Sequence, residues 1–391
     1  MHEELSTTLV AHIMDEFARS TGLEPPGEYP RRYLWTDAFA VCNFLELWRR
    51  TGEDKYKELA LRLVDQVHHI LGKHREDDSR KGWISGLDEA EGRRHPTAGG
   101  LRIGKGMSER KPGEPFDEQL EWEQDGQYFH YLTKWMHALN RVSTATGDFT
   151  YNRWAMELAK AAYSAFIYTT PHGGQKRMYW KMSIDMSYPL VPSMGHHDPL
   201  DGFITFSQLN ATDVRDRTRS TGLDLTAEIV SMASICAGKN WITDDTLGLG
   251  GLLSDAYRVG QLILRRDFNQ TDLLPVLLEA SLAGLKSLTT KKTFHYPADY
   301  RLAFRELGLS IGLHAVERLR KLFDEHKGLL HEIKGLGVKI NDLIRYVPMG
   351  ETIETFWLDD THRRSDTWKE HRDINMVMLA TSLASDAYLI I

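Results

Sequence analysis

The feature that most constrains this chain is a corner that occurs twice. Thr51-Gly52 is followed by Tyr56, Ala60 and Leu63, and Thr146-Gly147 by Tyr151, Ala155 and Leu158, at identical offsets. Each corner follows an aromatic-rich helical stretch. Glycine reaches the left-handed conformation that ends a helix without steric cost, and Glu53 or Asp148 then stands where the dipole of the next helix favours a negative charge. Before the first corner, Trp35 to Trp48 is apolar on nearly every side, interrupted by Asp37, Asn43 and Glu46, as in a helix buried all round. After it, Tyr56, Leu59, Ala60, Leu63, Val64, Val67, Ile70 and Leu71 fall on one face. A buried inner helix is thus paired with an amphipathic outer one, and the pair recurs.

The same periodicity predicts helices at 3–20, 123–145, 149–168, 224–237, 245–266, 271–289, 300–324 and 374–389, with a weaker pattern at 327–345. Gly22-Leu23-Glu24-Pro25-Pro26-Gly27 ends the first of them. Strand signal is sparse: Arg177 to Met182 alternates weakly, and Thr352 to Trp357 reads as a short hairpin arm. No linker or shift of composition divides residues 1–391, which predicts a single domain. Two long inserts remain, at about 75–122 and 170–223. The first, glycine-rich and charged from Arg102 to Pro115, is expected to be mobile; the second, rich in aromatic residues, is expected to be ordered. Gly248-Leu249-Gly250-Gly251 suits close helix packing or a helix start.

With 48 Lys and Arg against 55 Asp and Glu, the formal net charge of −7 argues against a nucleic-acid partner or an anionic membrane surface. Cys42 and Cys236 sit in apolar helical runs, so no disulfide framework is expected. The acidic start Met1-His2-Glu3-Glu4 lacks a signal-type apolar core, and the longest apolar runs are broken by charges short of the ~20 residues a membrane span needs. A cytoplasmic chain without membrane contact is the expectation, with oligomeric state open. Walker, Rossmann, HExxH, GxSxG and CxxC patterns are all absent from the sequence, and no cofactor is expected.

The paired helices, the Thr-Gly corners and the opening Tyr33-Leu34-Trp35-Thr36-Asp37-Ala38-Phe39 resemble the six-hairpin glycosidase-like proteins, all-α toroids also called (α/α)6 barrels. That superfamily includes glucoamylase-like hydrolases, unsaturated glucuronyl hydrolases and N-acylglucosamine epimerases. The resemblance implies an active site at the wide mouth of the barrel. It covers the architecture, with no family's full catalytic motif matched, so it implies the fold more than the reaction.

Four clusters are candidates for that mouth. The first is Arg31-Arg32 with Trp35 and Asp37; the second is Glu121 to Tyr128, with Glu123, ahead of the helix carrying His130 and Trp135. The third, Met194-Gly195-His196-His197-Asp198-Pro199-Leu200-Asp201-Gly202-Phe203, is read as a non-helical loop held in shape by Pro199 and Gly202. The fourth runs from Phe356-Trp357 through Arg364, Trp368 and His371 to Asp373 and Asn375. Each could instead be a helix cap or a packing plug. As a metal site the third is poor, because adjacent side chains diverge.

Tryptophan faces take the apolar faces of sugar rings while Arg, His and Asp bind hydroxyls, which suits a small carbohydrate. The first reading is a glycoside hydrolase acting on a short oligosaccharide, with Asp198 or Asp201 as acid and Asp37, Glu123 or Asp373 as base. Trp35, Arg32, Trp357, Arg364, Trp368 and His371 would bind substrate. A second reading is a sugar epimerase or isomerase that moves protons through His196, His197 or His371. A third is a sugar-binding or scaffold toroid without catalysis. If inner and outer helices alternate strictly, 194–203 and 356–373 should meet at one face, with one acid desolvated against tryptophan and another held ionised by Arg364 or Arg32.

Overall fold

A computed structural model describes residues 2–171, 173–215, 222–291, 293–326 and 328–391. Part of the second insert, 216–221, lies outside the described residues. The chain is all-α, as its periodicity predicts. In chain order its helices are α1 (His2–Ser20), α2 (Leu34–Thr51), α3 (Asp54–Leu71), α4 (Glu89–Arg94), α5 (Glu118–Glu123), α6 (Phe129–Thr146), α7 (Thr150–Phe166), α8 (Asp198–Arg215) and α9 (Thr226–Cys236). They continue as α10 (Thr246–Leu264), α11 (Leu273–Thr290), α12 (Ala303–Glu325), α13 (Leu329–Glu332), α14 (Leu336–Ile344), α15 (Pro348–Leu358), α16 (Asp366–Glu370), α17 (Arg372–Leu383) and α18 (Asp386–Leu389). The strands are β1 (Gln127–Tyr128), β2 (Ile167–Thr169), β3 (Lys176–Met178), β4 (Lys181–Met182) and β5 (Pro189–Val191).

Two expectations are corrected here. The 194–203 stretch is not a loop throughout, because α8 begins at Asp198. Pro199 falls in the first turn, where its fixed φ is already helical and its missing N–H has no partner to lose. Gly202 serves packing rather than a turn: a Cβ there would lie 2.6 Å from Met232 Cε and 2.8 Å from Phe129 Cε1. Likewise Thr352 to Trp357 is helical, within α15, and no hairpin arm. Its buried residues Gly350, Ile353 and Trp357 follow the helical period.

The chain packs as two compact units. The first comprises Ala18–Trp48 and Glu53–Ala237; the second comprises Met1–Phe17, Arg49–Gly52 and Gly238–Ile391. In the first unit the inner and outer roles are clear. Nothing from Leu34 to Leu47 in α2 reaches solvent appreciably, whereas α3 buries only the face carrying Tyr56, Leu59, Ala60, Leu63, Val64, Val67, His68 and Leu71. Helices α6 and α7 repeat the pair, and Gly147 takes φ 74° as its amide bonds back to Ser143. Burial pushes the His68 imidazole down to about 3, so it stays neutral, and its Nε2 accepts a hydrogen bond from Trp135 Nε1 at 3.1 Å.

The first insert, expected to be mobile, is tied down by arginines. Arg75 donates to the carbonyls of Lys105 and Gly106, at 2.6 and 2.8 Å. Arg80 bridges Asp78, Glu109 and Asp185, and Arg102 pairs with the buried Asp125 at 3.0 Å. Strands β1, β4 and β5 form an antiparallel sheet in which Tyr128 stands opposite Lys181; β2 and β3 form a separate antiparallel pair.

In the second unit α10 and α12 touch backbone to backbone. A Cβ on Gly250 would sit 2.0 Å from the Gly308 carbonyl oxygen, and one on Gly312 2.6 Å from Gly250 Cα. Helix α11 is the one helix among the described residues whose length and mean hydropathy of 1.2 would let it cross a membrane. Its buried residues Leu274, Leu277, Leu278, Ser281, Leu285 and Leu288 nevertheless fall on one face, as in the outer helix of a pair.

Candidate functional site

The starts of three helices in the first unit meet around an aromatic cluster. Helix α2 supplies Trp35, α6 supplies His130, Tyr131 and Lys134, and α8 supplies Asp198 and Asp201. Around the His130 imidazole stand Tyr131 at 4.9 Å, Tyr128 at 5.3 Å, Trp35 at 6.0 Å and Trp180 at 6.3 Å between ring centroids. The Trp180 ring lies nearly parallel to the imidazole, at 18°. Tyr33 and Tyr131 share a hydrogen bond of 2.7 Å between their hydroxyls. Burial pushes Tyr33 up to about 12 and Tyr131 well above the usual phenol range, so both stay protonated near neutral pH.

Within this cluster the imidazole faces a carboxylate. His130 Nδ1 stands 3.7 Å from Asp198 Oδ2, and neither atom has a hydrogen-bond partner although both are sealed from solvent. That gap is longer than a hydrogen bond, and a shift of under one ångström would close it. The His130 side chain is 25% exposed, so the ring reaches the surface beyond Nδ1. Gly195 leaves room for the carboxylate: a Cβ there would lie 2.5 Å from Asp198 Cγ and both its oxygens.

The neighbouring acids are engaged. Asp201 accepts from Lys134 Nζ at 2.6 Å and from Thr133 Oγ1 at 2.5 Å, and Lys134 also stands 5.9 Å from the Trp35 ring centroid. Asp37 accepts from the Tyr33 backbone N–H at 2.9 Å and pairs with buried Arg32 at 3.3 Å, while Arg32 also donates to the Thr21 carbonyl at 2.7 Å. It therefore acts as a carboxylate reaching back over the start of its own helix. Glu123 is exposed, and its charge helps to raise the Tyr33 phenol. His196 is exposed and packs its ring 4.5 Å from that of His197.

The structure thus brings Trp35, Asp198 and Asp201 together and adds His130, Tyr131, Lys134 and Trp180. His130 and Tyr131 had a signal: Tyr128-Phe129-His130-Tyr131 is an aromatic run at a helix start. The remaining expected residues belong to the second unit. Trp357 is wholly buried, donates from Nε1 to Glu306 at 2.8 Å and stacks on buried Trp368 at 5.6 Å. As a correction to the expected sugar-binding role, neither indole has a face open to a ligand. Arg364 and His371 are exposed, with His371 5.5 Å from Phe304, and Asp373 lies in the first turn of α17. Among the described residues no three His, Cys, Asp or Glu side chains are placed to hold a metal ion.

No family model and no curated protein matches the sequence. Solved structures similar to this chain include two epimerases. Cellobiose 2-epimerase from Spirochaeta thermophila DSM 6192 is 12% identical over 96% of this chain and 98% of that one, with a TM-score of 0.48. A sugar epimerase from a ruminal bacterium is 9% identical over 80% of this chain and 75% of that one, with a TM-score of 0.41.

Chemically, a partly exposed imidazole facing a carboxylate is an arrangement that can carry a proton. With its Nδ1–H turned to Asp198, His130 would present Nε2 as the base, and the imidazolium formed on taking a proton would be stabilised by the carboxylate. Of the surrounding rings, Tyr131 and Trp180 are partly exposed and offer apolar faces, whereas Trp35 and Tyr128 are buried behind them.

Proposed function

We propose that this protein is a carbohydrate-processing enzyme, an epimerase or isomerase of a reducing sugar, in which His130 carries the proton. In the open-chain form of the sugar, His130 Nε2 takes the proton from the carbon next to the carbonyl, and the electron pair moves onto the carbonyl oxygen to give an enediolate. If the enediolate turns its other face to the imidazole, return of the proton to the same carbon gives an epimer; return to the former carbonyl carbon, with the hydroxyl proton passing from the neighbouring oxygen to the former carbonyl oxygen, gives the isomeric ketose or aldose. Nothing is consumed. Asp198 orients the imidazole and stabilises its charged form, and the partly exposed Tyr131 and Trp180 hold the sugar.

The observation that carries this reading is the facing pair of His130 and Asp198 inside the aromatic cluster. A hydrolase would need two carboxylates on opposite sides of a glycosidic bond. Here Asp201 is held by Lys134 and Thr133, and Asp37 by Arg32 and the Tyr33 amide. The expectation of a carboxylate pair therefore has less support than the expectation of a histidine carrier, with His130 in the place expected for His196, His197 or His371.

Incubation with a panel of reducing mono- and disaccharides, followed by NMR and mass spectrometry, separates the alternatives. The proposal expects a product of unchanged mass. A product pair heavier by one water in total would return the hydrolase, and binding without turnover across the panel would make the chain a sugar-binding protein.

A further inference from the structure

We propose that the site continues outward onto Trp122 and accepts a sugar chain longer than one residue, the unit remote from the reacting end stacking on that indole. This rests on the sugar reading above and adds its chain length. Trp122 is 45% exposed, which is unusual for the side chain with the most apolar area to hide. Its ring is nonetheless anchored, 5.3 Å from Trp180 at 80° and 6.4 Å from Tyr128 at 39°. Since Trp180 lies against His130, the rings form a continuous row from the proton carrier to the surface.

The backbone under Trp122 is fixed on both sides. Asp117 caps α5 by accepting from the Leu120 amide at 2.8 Å. Glu121 is buried and pairs with Arg110 at 3.0 Å and with Lys181 at 2.8 Å. Lys181 also donates to the Glu121 and Gln124 carbonyls, at 2.7 and 2.8 Å. A rigid, half-exposed indole costs a flexible glycan little further ordering on binding. Exposed Glu118 and Glu123 flank it and can accept from sugar hydroxyls. Flat apolar area edged by acceptors and continuous with the aromatic cluster around His130 fits a pyranose face better than a protein side chain.

The test is calorimetric titration of the full chain with glucose, cellobiose, cellotetraose, maltose and maltotetraose, using wild type, Trp122→Ala and Trp122→Phe. The expected result is tighter binding of at least one tetrasaccharide than of glucose by wild type. Trp122→Ala should weaken that tetrasaccharide about tenfold more than it weakens glucose, with Trp122→Phe retaining most of the difference. Equal affinity for all lengths in wild type, or an unchanged length dependence in Trp122→Ala, would overturn the proposal while leaving the sugar reading intact. No binding of any of the five sugars by wild type would overturn both. A wild-type dimer that Trp122→Ala converts to a monomer would assign the indole to a protein interface and overturn this proposal alone.

Discussion

His130 Nδ1 and Asp198 Oδ2 face each other across 3.7 Å, two buried polar atoms with no other hydrogen-bond partner. Leaving either without a partner costs about 1–3 kcal/mol, so the arrangement is a poor way to stabilise a fold and a good way to hold a base ready. Positioning of this pair is controlled by Gly195, whose missing side chain makes room for the carboxylate.

Gly195→Ala should therefore act on catalysis. Its Cβ would lie 2.5 Å from the Asp198 carboxylate and push it off the imidazole. Turnover should fall about tenfold to a hundredfold, while thermal unfolding moves little. Steady-state kinetics beside calorimetry checks this; a stability loss with unchanged kcat would make Gly195 a packing residue only.

Asp37 and Asp201 are expected to be supports. Removing one partner of a buried ion pair strands the other charge, at about 3–5 kcal/mol. Asp37→Ala takes the carboxylate from Arg32 and Lys134→Met takes the ammonium from Asp201, and the side chains left behind are nearly inaccessible in the folded chain. Urea unfolding should show each loss. Asp37→Ala that keeps full stability and abolishes turnover would restore Asp37 as a site carboxylate.

Much of this was legible in the sequence, and the misses have particular causes. The pairing of α2 with α3 and of α6 with α7 survives in the apolar spacing because burial imposes it directly. Helix α8 was hidden because Pro199 and Gly202 look like breakers, when one fits the first turn and the other admits Met232 and Phe129. His130 was hidden because an imidazole in an aromatic run looks like core, and its partner Asp198 lies on another helix. Trp357 resembled a sugar platform, but its indole is held by Glu306 on α12. Pairings between distant helices leave no periodic trace.

Gly250 should be intolerant of any side chain. A Cβ 2.0 Å from the Gly308 carbonyl oxygen forces α10 and α12 apart. Gly250→Ala should destabilise by about 1–3 kcal/mol, read by chemical denaturation, and Gly251→Ala, which meets nothing within 4 Å, should not. Equal effects would remove the close-packing account.

In the second unit His314 sets a pH limit on stability. Burial opposes its charge, but Glu317 at 2.9 Å and Glu354 at 2.8 Å outweigh burial and raise the imidazole to about 9. The folded form holds the proton more tightly than the unfolded chain. The contribution, on the order of 3 kcal/mol, is therefore complete below about pH 6.5 and lost as pH rises through about 9. Glu317 is held below the usual carboxylate range by its hydrogen bond to His314, so the same cluster also weakens in acid. Denaturation of wild type at pH 7 and pH 10 should show the alkaline loss, and His314→Gln should flatten it.

Exchange of the substrate carbon proton with solvent deuterium tests the central claim most directly. A sugar turned over by wild type in D₂O should gain deuterium at the carbon beside the carbonyl with no change in chain length, and His130→Gln should lower that exchange at least about a hundredfold while remaining folded. Exchange at the wild-type rate in folded His130→Gln, or turnover that adds water without exchanging the carbon proton, would contradict a histidine-carried epimerisation or isomerisation at this site.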